Sequence, residues 1–395
     1  MTAALRRIRH GRLTIVDRGR SSSYGDASRG LSCRVEIHDP SAWASVVGEG
    51  SVGLGLSYMR GDWDTDDLVA LVRLAIGNLG AVERTPTLAH RATAPLVDRL
   101  ARRTEDKARD RRNIRTHYDL GNDFFSLFLD PTMTYSCGVF ESPDATMQQA
   151  SVAKLDRLCR KLGLGPSDAV VEIGTGWGSF AIHAARTYGC RVTTTTISDR
   201  QYEYARKVVA ESGLGDRVTV LNDDYRDVRG TFDALVSIEM IEAVGWERYD
   251  TFFAQCARLL RPEGRMALQT IVVADQRYER SKRRNDFIKE VIFPGGCVPS
   301  IEAMAKSTAR ATDLRIVDLE DIGQHYAETL RRWRLTYEDH LADVRRLGLD
   351  ETFIRMWRFY LAYCEAAFIE RQISDVQIVL TRPAWRAEPC QTLPR

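Results

Sequence analysis

A chain of 395 residues exceeds the usual single domain, so two domains are expected, and a 44% hydrophobic share is enough to build real cores. No apolar run approaches the roughly 20 residues needed to cross a bilayer, and the start MTAALRRIRHGRLTIVDRGR has no apolar run of signal-peptide length, so the cytoplasm is the expected compartment. The 8 cysteines form no C-x-x-C pair, which argues against a structural zinc site and a disulfide framework, and a net charge of +2 is too mild to imply nucleic acid.

Local charge says more than the total. Basic residues crowd the chain from Arg6 to Arg20, from Arg99 to Arg115 and from Arg277 to Arg284, and together they point to an anionic surface, lipid headgroups or nucleic acid. Residues 1–98 read as a small scaffold or docking domain. A strand is expected at Arg34 to His38, followed by a glycine-rich loop in GEGSVGLGLSYMRG and a helix with Leu68, Leu71, Val72 and Ala75 on one face, Asp64 or Thr65 capping it. Asp62, Asp64, Asp66 and Asp67 lack the closing Glu and the glycine of a calcium loop, so no metal is expected.

Residues 99–112 read as a basic linker, or an exposed helix lying on a membrane surface. From 113 the chain turns aromatic. NIRTHYDLGNDFFSLFLDPTMTYSCGVF holds His117, Asp119 and Cys137, a helical face of Phe124, Phe125, Phe128 and Leu129, and a T-Y-S-C loop after Pro131.

After Ser151 the alternation of a doubly wound α/β domain begins. Strands are expected at Ala169 to Ile173, Arg191 to Ile197, Arg217 to Leu221, Asp233 to Ile238, Arg265 to Val273, Ile316 to Glu320 and Val376 to Thr381, giving seven strands with a reversed one at an edge. The first strand runs into VVEIGTGWGSF, where Glu172 precedes glycines 174, 176 and 178. Such glycines let the backbone approach a ligand closely, and the helix that follows offers unpaired N–H groups. The spacing departs from G-x-G-x-x-G and no phosphate-gripping Lys-Ser/Thr follows, so pyrophosphate is disfavoured. The stretch resembles motif I of class I methyltransferases, which hold S-adenosylmethionine. In an open α/β sheet the ligand lies beyond the C-terminal strand ends, here Gly174 and Gly176, Thr196 and Gln201, Asp223 to Tyr225, and Glu239 to Glu242. The second strand lacks the usual acid for ribose hydroxyls, so Gln201 or Thr196 is expected to take the ribose, with Asp224 or Tyr225 near the adenine.

The motifs HYDLGNDFF, LDPTMTYSC, VEIGTGWG, TISDRQ, SIEMIEAVG, FPGGCVPS and HYAETLRRW resemble those of cyclopropane-fatty-acyl-phospholipid synthases and the related mycolic-acid methyltransferases. The resemblance covers about residues 113–382, and GSVGLGLSYMRGDWD resembles the N-terminal domain of the phospholipid-acting members. It implies an α/β class I methyltransferase fold, a Rossmann-like seven-stranded sheet with helical lid insertions, over residues 113–395 after a small N-terminal domain. It further implies transfer of the methyl of S-adenosylmethionine to a cis double bond of a phospholipid acyl chain at the inner membrane surface. The resulting carbocation is deprotonated by bound bicarbonate.

Carried over by motif, the bicarbonate site comprises Cys137, Glu242, Ile271 and Tyr326, with Gln269 where the family has a His; Gln cannot carry a proton. Ala243 stands where many synthases have a second His. Cofactor contacts fall on Tyr135, Ser136, Gly174, Gly176, Thr196, Gln201 and Tyr225, and Glu239 is expected to be structural. Asp275 to Pro299 is expected to lid the acyl channel, and the stripe from Phe353 to Phe368 reads as core before channel. A cyclopropane product is favoured, with a methylene-branched chain as the alternative because of Gln269 and Ala243. A homodimer through the N-terminal domain is implied, and a reductase partner if the product is a saturated branch. Nucleic acid is not a partner on this reading. The rival classes are a small-molecule or RNA methyltransferase and a non-catalytic lipid-binding protein.

Overall fold

Short β-branched runs separated by helix-length amphipathic segments dictate the layering of this chain, seen here in a computed structural model that describes residues 5–78 and 120–386. The expected linker at 99–112, both of its boundaries, and His117, Tyr118 and Asp119 lie outside the described residues. The chain divides into two compact units. The first takes the described residues to 78 together with Arg283–Pro294 and Leu330–Gln372, and the second takes 120–282, Gly295–Thr329 and 373–386. Packing in the first unit therefore draws on two later segments as well as the N-terminal residues. The expected lid, 275–299, is divided between the units.

In the first unit, β1 (Gly11–Asp17), β2 (Arg20–Asp26), β3 (Ser32–Ile37) and β4 (Trp63–Thr65) form a sheet in the order β2-β1-β3-β4. β1 and β2 lie in the arginine-rich start. Leu13 and Ile15 alternate inward there, while polar residues fill β2. Cys33, Val35 and Ile37 do the same on β3.

The glycine-rich tract is a helix, Ser51–Arg60, where a loop is expected. Its glycines permit close approach: a Cβ on Gly53 would lie 1.9 Å from the Ser45 carbonyl oxygen of the preceding helix, Ser41–Glu49. Asp67, and neither Asp64 nor Thr65, caps the next helix, Leu68–Gly77, accepting from the Ala70 N–H at 2.9 Å. The remaining acids are engaged by Arg60 (Asp62), by Arg355 and His38 (Asp64), and by the Arg34 N–H (Asp66). The stripe on helix Glu351–Ile369 is core: Trp357, Tyr360, Leu361 and Phe368 are buried, and Ala362 and Ala366 pack with Val69 and Val72.

The second unit carries the seven expected strands, β5 (Ala169–Ile173), β6 (Arg191–Thr195), β7 (Val218–Leu221), β8 (Phe232–Ile238), β9 (Leu260–Val273), β10 (Arg315–Asp321) and β11 (Ile373–Thr381), in the order β10-β11-β9-β8-β5-β6-β7. β11 is antiparallel to both its neighbours, so the reversed strand stands one place in from the edge that β10 occupies. The stretch VQIVL, apolar but for Gln377 and buried on both faces, explains its interior place. Both faces of the sheet are covered. Val171, Ile173, Leu235, Met266 and Leu268 join one core with helix Tyr249–Leu259, while Val170, Ala234 and Val236 join another with helix Met147–Leu162. The chain goes from β5 outward to β6 and β7, then returns to β8 on the other side of β5. That reversal opens a crevice at the C-terminal ends of β5 and β8.

Replacing a helical glycine by alanine ordinarily stabilises by up to ~1 kcal/mol. At Gly53 the sign reverses, since the neighbour is backbone and cannot swing away. Gly53→Ala is expected to cost about 1–3 kcal/mol in urea unfolding, and a neutral or stabilising result would refute the close helix approach.

Candidate active site

The turn after β5 is built from glycines in left-handed conformations, with φ of 102° at Gly174 and 52° at Gly176. The N–H groups of Gly174 and Thr175 both donate to the Thr195 carbonyl at 3.0 Å, which ties the turn to β6. A Cβ on Gly174 would press on Met240 at 3.3 Å, whereas one on Gly176 would meet nothing within 4 Å. The backbone at Gly176 is thus open to a ligand.

Around this turn stand the other expected cofactor residues. Thr196 donates its hydroxyl to Gln201 Oε1 at 2.9 Å beyond β6, and both are buried. Beyond β7 the buried Tyr225 hydroxyl finds no hydrogen-bond partner among the described residues, and its ring packs edge-on to Phe252. Asp224 is held through both carboxylate oxygens by Arg226, at 2.8 and 2.6 Å, so Tyr225 is the better placed of the pair to meet a base. Tyr135 joins an aromatic cluster, its ring 5.2 Å from Phe125, which lies 5.0 Å from Trp177. The expected helical face shrinks to one turn, Asn122–Phe125, yet Phe124, Phe125, Phe128 and Leu129 are all buried. Ser136 accepts a hydrogen bond from the buried ammonium of Lys154 at 2.7 Å.

Of the expected bicarbonate residues Cys137, Gln269 and Tyr326 converge, on a side chain expected to be structural, while Glu242 and Ile271 pair with each other. Glu239 follows β8 with φ 48°, a left-handed conformation that costs a residue with a side chain roughly 1 kcal/mol or more. Its Oε1 accepts from the Cys137 N–H at 2.8 Å and from Gln269 Nε2 at 2.9 Å, and its Oε2 accepts from the Tyr326 hydroxyl at 2.6 Å. Glu242, in the turn Ile241–Ala243, is held apart: its Oε1 accepts from the Thr270 hydroxyl at 2.8 Å and the Ile271 N–H at 2.6 Å, and its carbonyl accepts from the Cys297 N–H. Oε2 of Glu242 is buried without a partner.

Three residues that sequence reading missed complete the cluster: Lys154, Asp375 and Gln377. Gln269 Nε2 also donates to Asp375 Oδ2 at 3.0 Å, and Gln377 Nε2 donates to Gln269 Oε1 at 3.0 Å. The signal was present. Asp375 and Gln377 are polar residues two apart in an apolar strand, and Lys154 sits on the buried face of its helix beside Leu155 and Leu158.

Burial dominates the electrostatics. It pushes Glu242 from 4.5 up to about 8, the charge of Glu239 adding to the effect, and pushes Glu172 up to about 8 as well. Glu239 is also raised by burial, but its hydrogen-bond donors and the Lys154 ammonium pull the other way. The Cys137 thiol is driven well above its ordinary range, so it stays a thiol, and the site uses the backbone N–H of this residue.

The mycolic acid cyclopropane synthetase family profile matches residues 105–378. The chain belongs to this family. Across 356 residues it is 40% identical to the tuberculostearic acid methyltransferase of Mycobacterium tuberculosis, covering 88% of this chain and 82% of that protein. It is 36% identical to the cyclopropane-fatty-acyl-phospholipid synthase of Escherichia coli, over 88% of this chain and 87% of the relative. A mycolic acid cyclopropane synthase solved with SAH and CTAB superposes with a TM-score of 0.64 at 34% identity, covering 69% of this chain and 98% of that one. As a family member the chain is an S-adenosylmethionine-dependent methyltransferase.

The residues present fit that cofactor. Gly176 leaves its backbone open, Tyr225 keeps a buried hydroxyl unspent, and both lie at the crevice end of the sheet. They do not fit bicarbonate equally well, because Cys137, Gln269 and Tyr326 spend their donors on Glu239.

A carboxyl whose pKa rises on folding binds its proton more tightly in the native state. Its contribution to stability is complete below 4.5 and is lost as pH climbs toward about 8. Glu242→Gln, with no proton to lose, should therefore show a shallower fall of unfolding free energy across that window than the wild type. Equal slopes in urea titrations at several pH values would contradict a protonated Glu242.

Proposed function

We propose that this enzyme methylates a cis double bond in an unsaturated phospholipid acyl chain and that Glu239 is the base that ends the reaction. The observation that carries the reading is the convergence of Cys137, Gln269 and Tyr326 on the Glu239 carboxylate. S-adenosylmethionine, when bound, supplies an electrophilic methyl group. Gly174, Gly176, Thr196, Gln201 and Tyr225 would hold it, with Tyr135 and Ser136 at its amino-acid end.

An alkene is a weak nucleophile, so the protein must align it and exclude water. Methylation of one alkene carbon leaves a positive charge on its neighbour, and the faces of Tyr135, Phe125 and Trp177 are the aromatic surfaces at hand to stabilise it. Glu239 then takes a proton from the new methyl group. No step through bicarbonate is required.

The product follows from how long the cation survives. Hydrogen bonds to an ionised carboxylate lower its basicity, so a thrice-bonded Glu239 deprotonates more slowly than a free base. A hydride can then move from the methylated carbon to the cationic one, and loss of a methyl proton to Glu239 leaves a methylene branch on the chain. This reverses the order of products expected from the sequence. The 40% identity to a tuberculostearic acid methyltransferase supports methyl transfer to a fatty acyl chain. A saturated branch would need a hydride from a separate reductase. The substrate is taken from a membrane surface; among the described residues no helix is long and apolar enough to cross a membrane.

Purified protein incubated with S-adenosylmethionine and liposomes of a cis-monounsaturated phospholipid should add one CH₂ to the chain, with vinylidene protons in the NMR spectrum of the methyl esters. High-field ring protons would instead establish a cyclopropane synthase, and no gain would reject the lipid substrate. Glu239→Gln should lower turnover on the order of 10²–10⁴-fold with cofactor affinity by calorimetry unchanged. Removing dissolved carbon dioxide should leave the wild-type rate as it was. Normal turnover of the variant, or a rate that collapses without bicarbonate, defeats the assignment of the base.

A further inference from the structure

β9 and β11 pair with Gln269 opposite Gln377 and Ile271 opposite Asp375, so these four side chains share one face of the ladder. The Gln269 amide is fully committed there. Both N–H bonds of Nε2 are spent, on Glu239 and Asp375, and its oxygen accepts from Gln377. The amide therefore joins the wholly buried carboxyl of Asp375 to the part-buried carboxyl of Glu239.

The charged and titratable groups facing Asp375 are Glu239 and Glu242 from the segment after β8, Lys154 from helix Met147–Leu162, and the Cys137 thiol; the Tyr326 hydroxyl from helix Gly323–Asp339 is bonded to Glu239. One ammonium thus stands among three clustered carboxyls, of which Asp375 is wholly buried. Neighbouring carboxyls so placed do not both ionise. Glu239 receives three hydrogen-bond donors, whereas Asp375 receives the single amide N–H and its Oδ1 finds no partner among the described residues. An anionic Asp375 would leave that oxygen charged, buried and unsolvated.

We propose that Asp375 is a positioning residue for Glu239: it keeps its proton at neutral pH and directs that O–H to the Glu239 carboxylate, holding the base ionised and aimed. This rests on Glu239 as the base. Burial and the negative charges of Glu239 and Glu242 push the Asp375 carboxyl well above its usual range, in keeping with the geometry.

Asparagine reproduces a protonated aspartic acid in shape and offers an N–H in place of the O–H, so Asp375→Asn separates the neutral form from the ionised one. Infrared difference spectra between wild type and Asp375→Asn at neutral pH should show the loss of one buried carboxylic-acid carbonyl band. Asp375→Leu removes a donor from Glu239, so the acid limb of its kcat–pH profile should move to higher pH, with turnover recovering as pH rises. If no acid band is lost in Asp375→Asn, Asp375 is an anion and the proposal falls; an unmoved acid limb in Asp375→Leu reduces the residue to packing. Should Asp375→Leu fail to fold, the Asn spectrum still decides. Normal turnover of Glu239→Gln would remove the base reading while leaving the protonation of Asp375 measured.

Discussion

One carboxyl that gathers its donors from separate parts of the fold, Glu239, is the constraint that organises this site. An isolated buried carboxylate is prohibitively costly, and in practice such a group either finds donors or takes up a proton. Glu239 finds donors from separate parts of the fold: a backbone N–H from the T-Y-S-C segment, a side-chain amide from the middle of β9, and a phenol from the helix that follows β10. None of these reaches it unless the sheet is complete. The strained backbone at Glu239 has the same origin, since a residue with φ 48° persists only where its surroundings over-determine it.

The two glutamates of the I-E-M-I-E-A segment show how environment separates chemically identical groups. Glu239 meets donors on both oxygens, while Glu242 has donors on one oxygen and nothing on the other. At neutral pH the first is suited to be a base and the second to be a neutral acid, and the negative charge of the first helps keep the second protonated. Lys154 sets an ammonium beside Glu239, and burial lowers its own pKa, so it balances at most one negative charge.

What could be read in the chain beforehand follows from what sequence patterns encode. Strand existence comes from local runs of β-branched residues, and all seven strands of the larger sheet were legible in that way. The glycine turn was legible for the same reason, since its conformations are a property of the residues themselves. Helix Ser51–Arg60 was not, because its glycines answer to the neighbouring helix and only look like a loop. The place of β11 was set by burial on both faces, visible in VQIVL once weighed against an edge position. The surroundings of the two glutamates escaped because part of them is anonymous. Cys137 reaches Glu239 and Ile271 reaches Glu242 through backbone N–H groups, and nothing in a side chain announces that.

Gln269 gives the clearest instance of a departure that the rest of the structure accommodates. An imidazole at this position would donate one hydrogen bond, accept or donate another, and exchange protons near neutral pH. A carboxamide cannot exchange protons, but it donates twice from one nitrogen in a fixed fork, and here both prongs end on carboxyls while Gln377 fixes its orientation. In the proposed mechanism proton storage then falls to the acids on either side of the amide. Histidine at this position, with Gln377 and Asp375 unchanged, would have one ring nitrogen where two N–H bonds now diverge from a single atom. The amide, the two acids and the second glutamine are therefore one unit, and replacing any one alone by an apolar side chain leaves a partner unpaired.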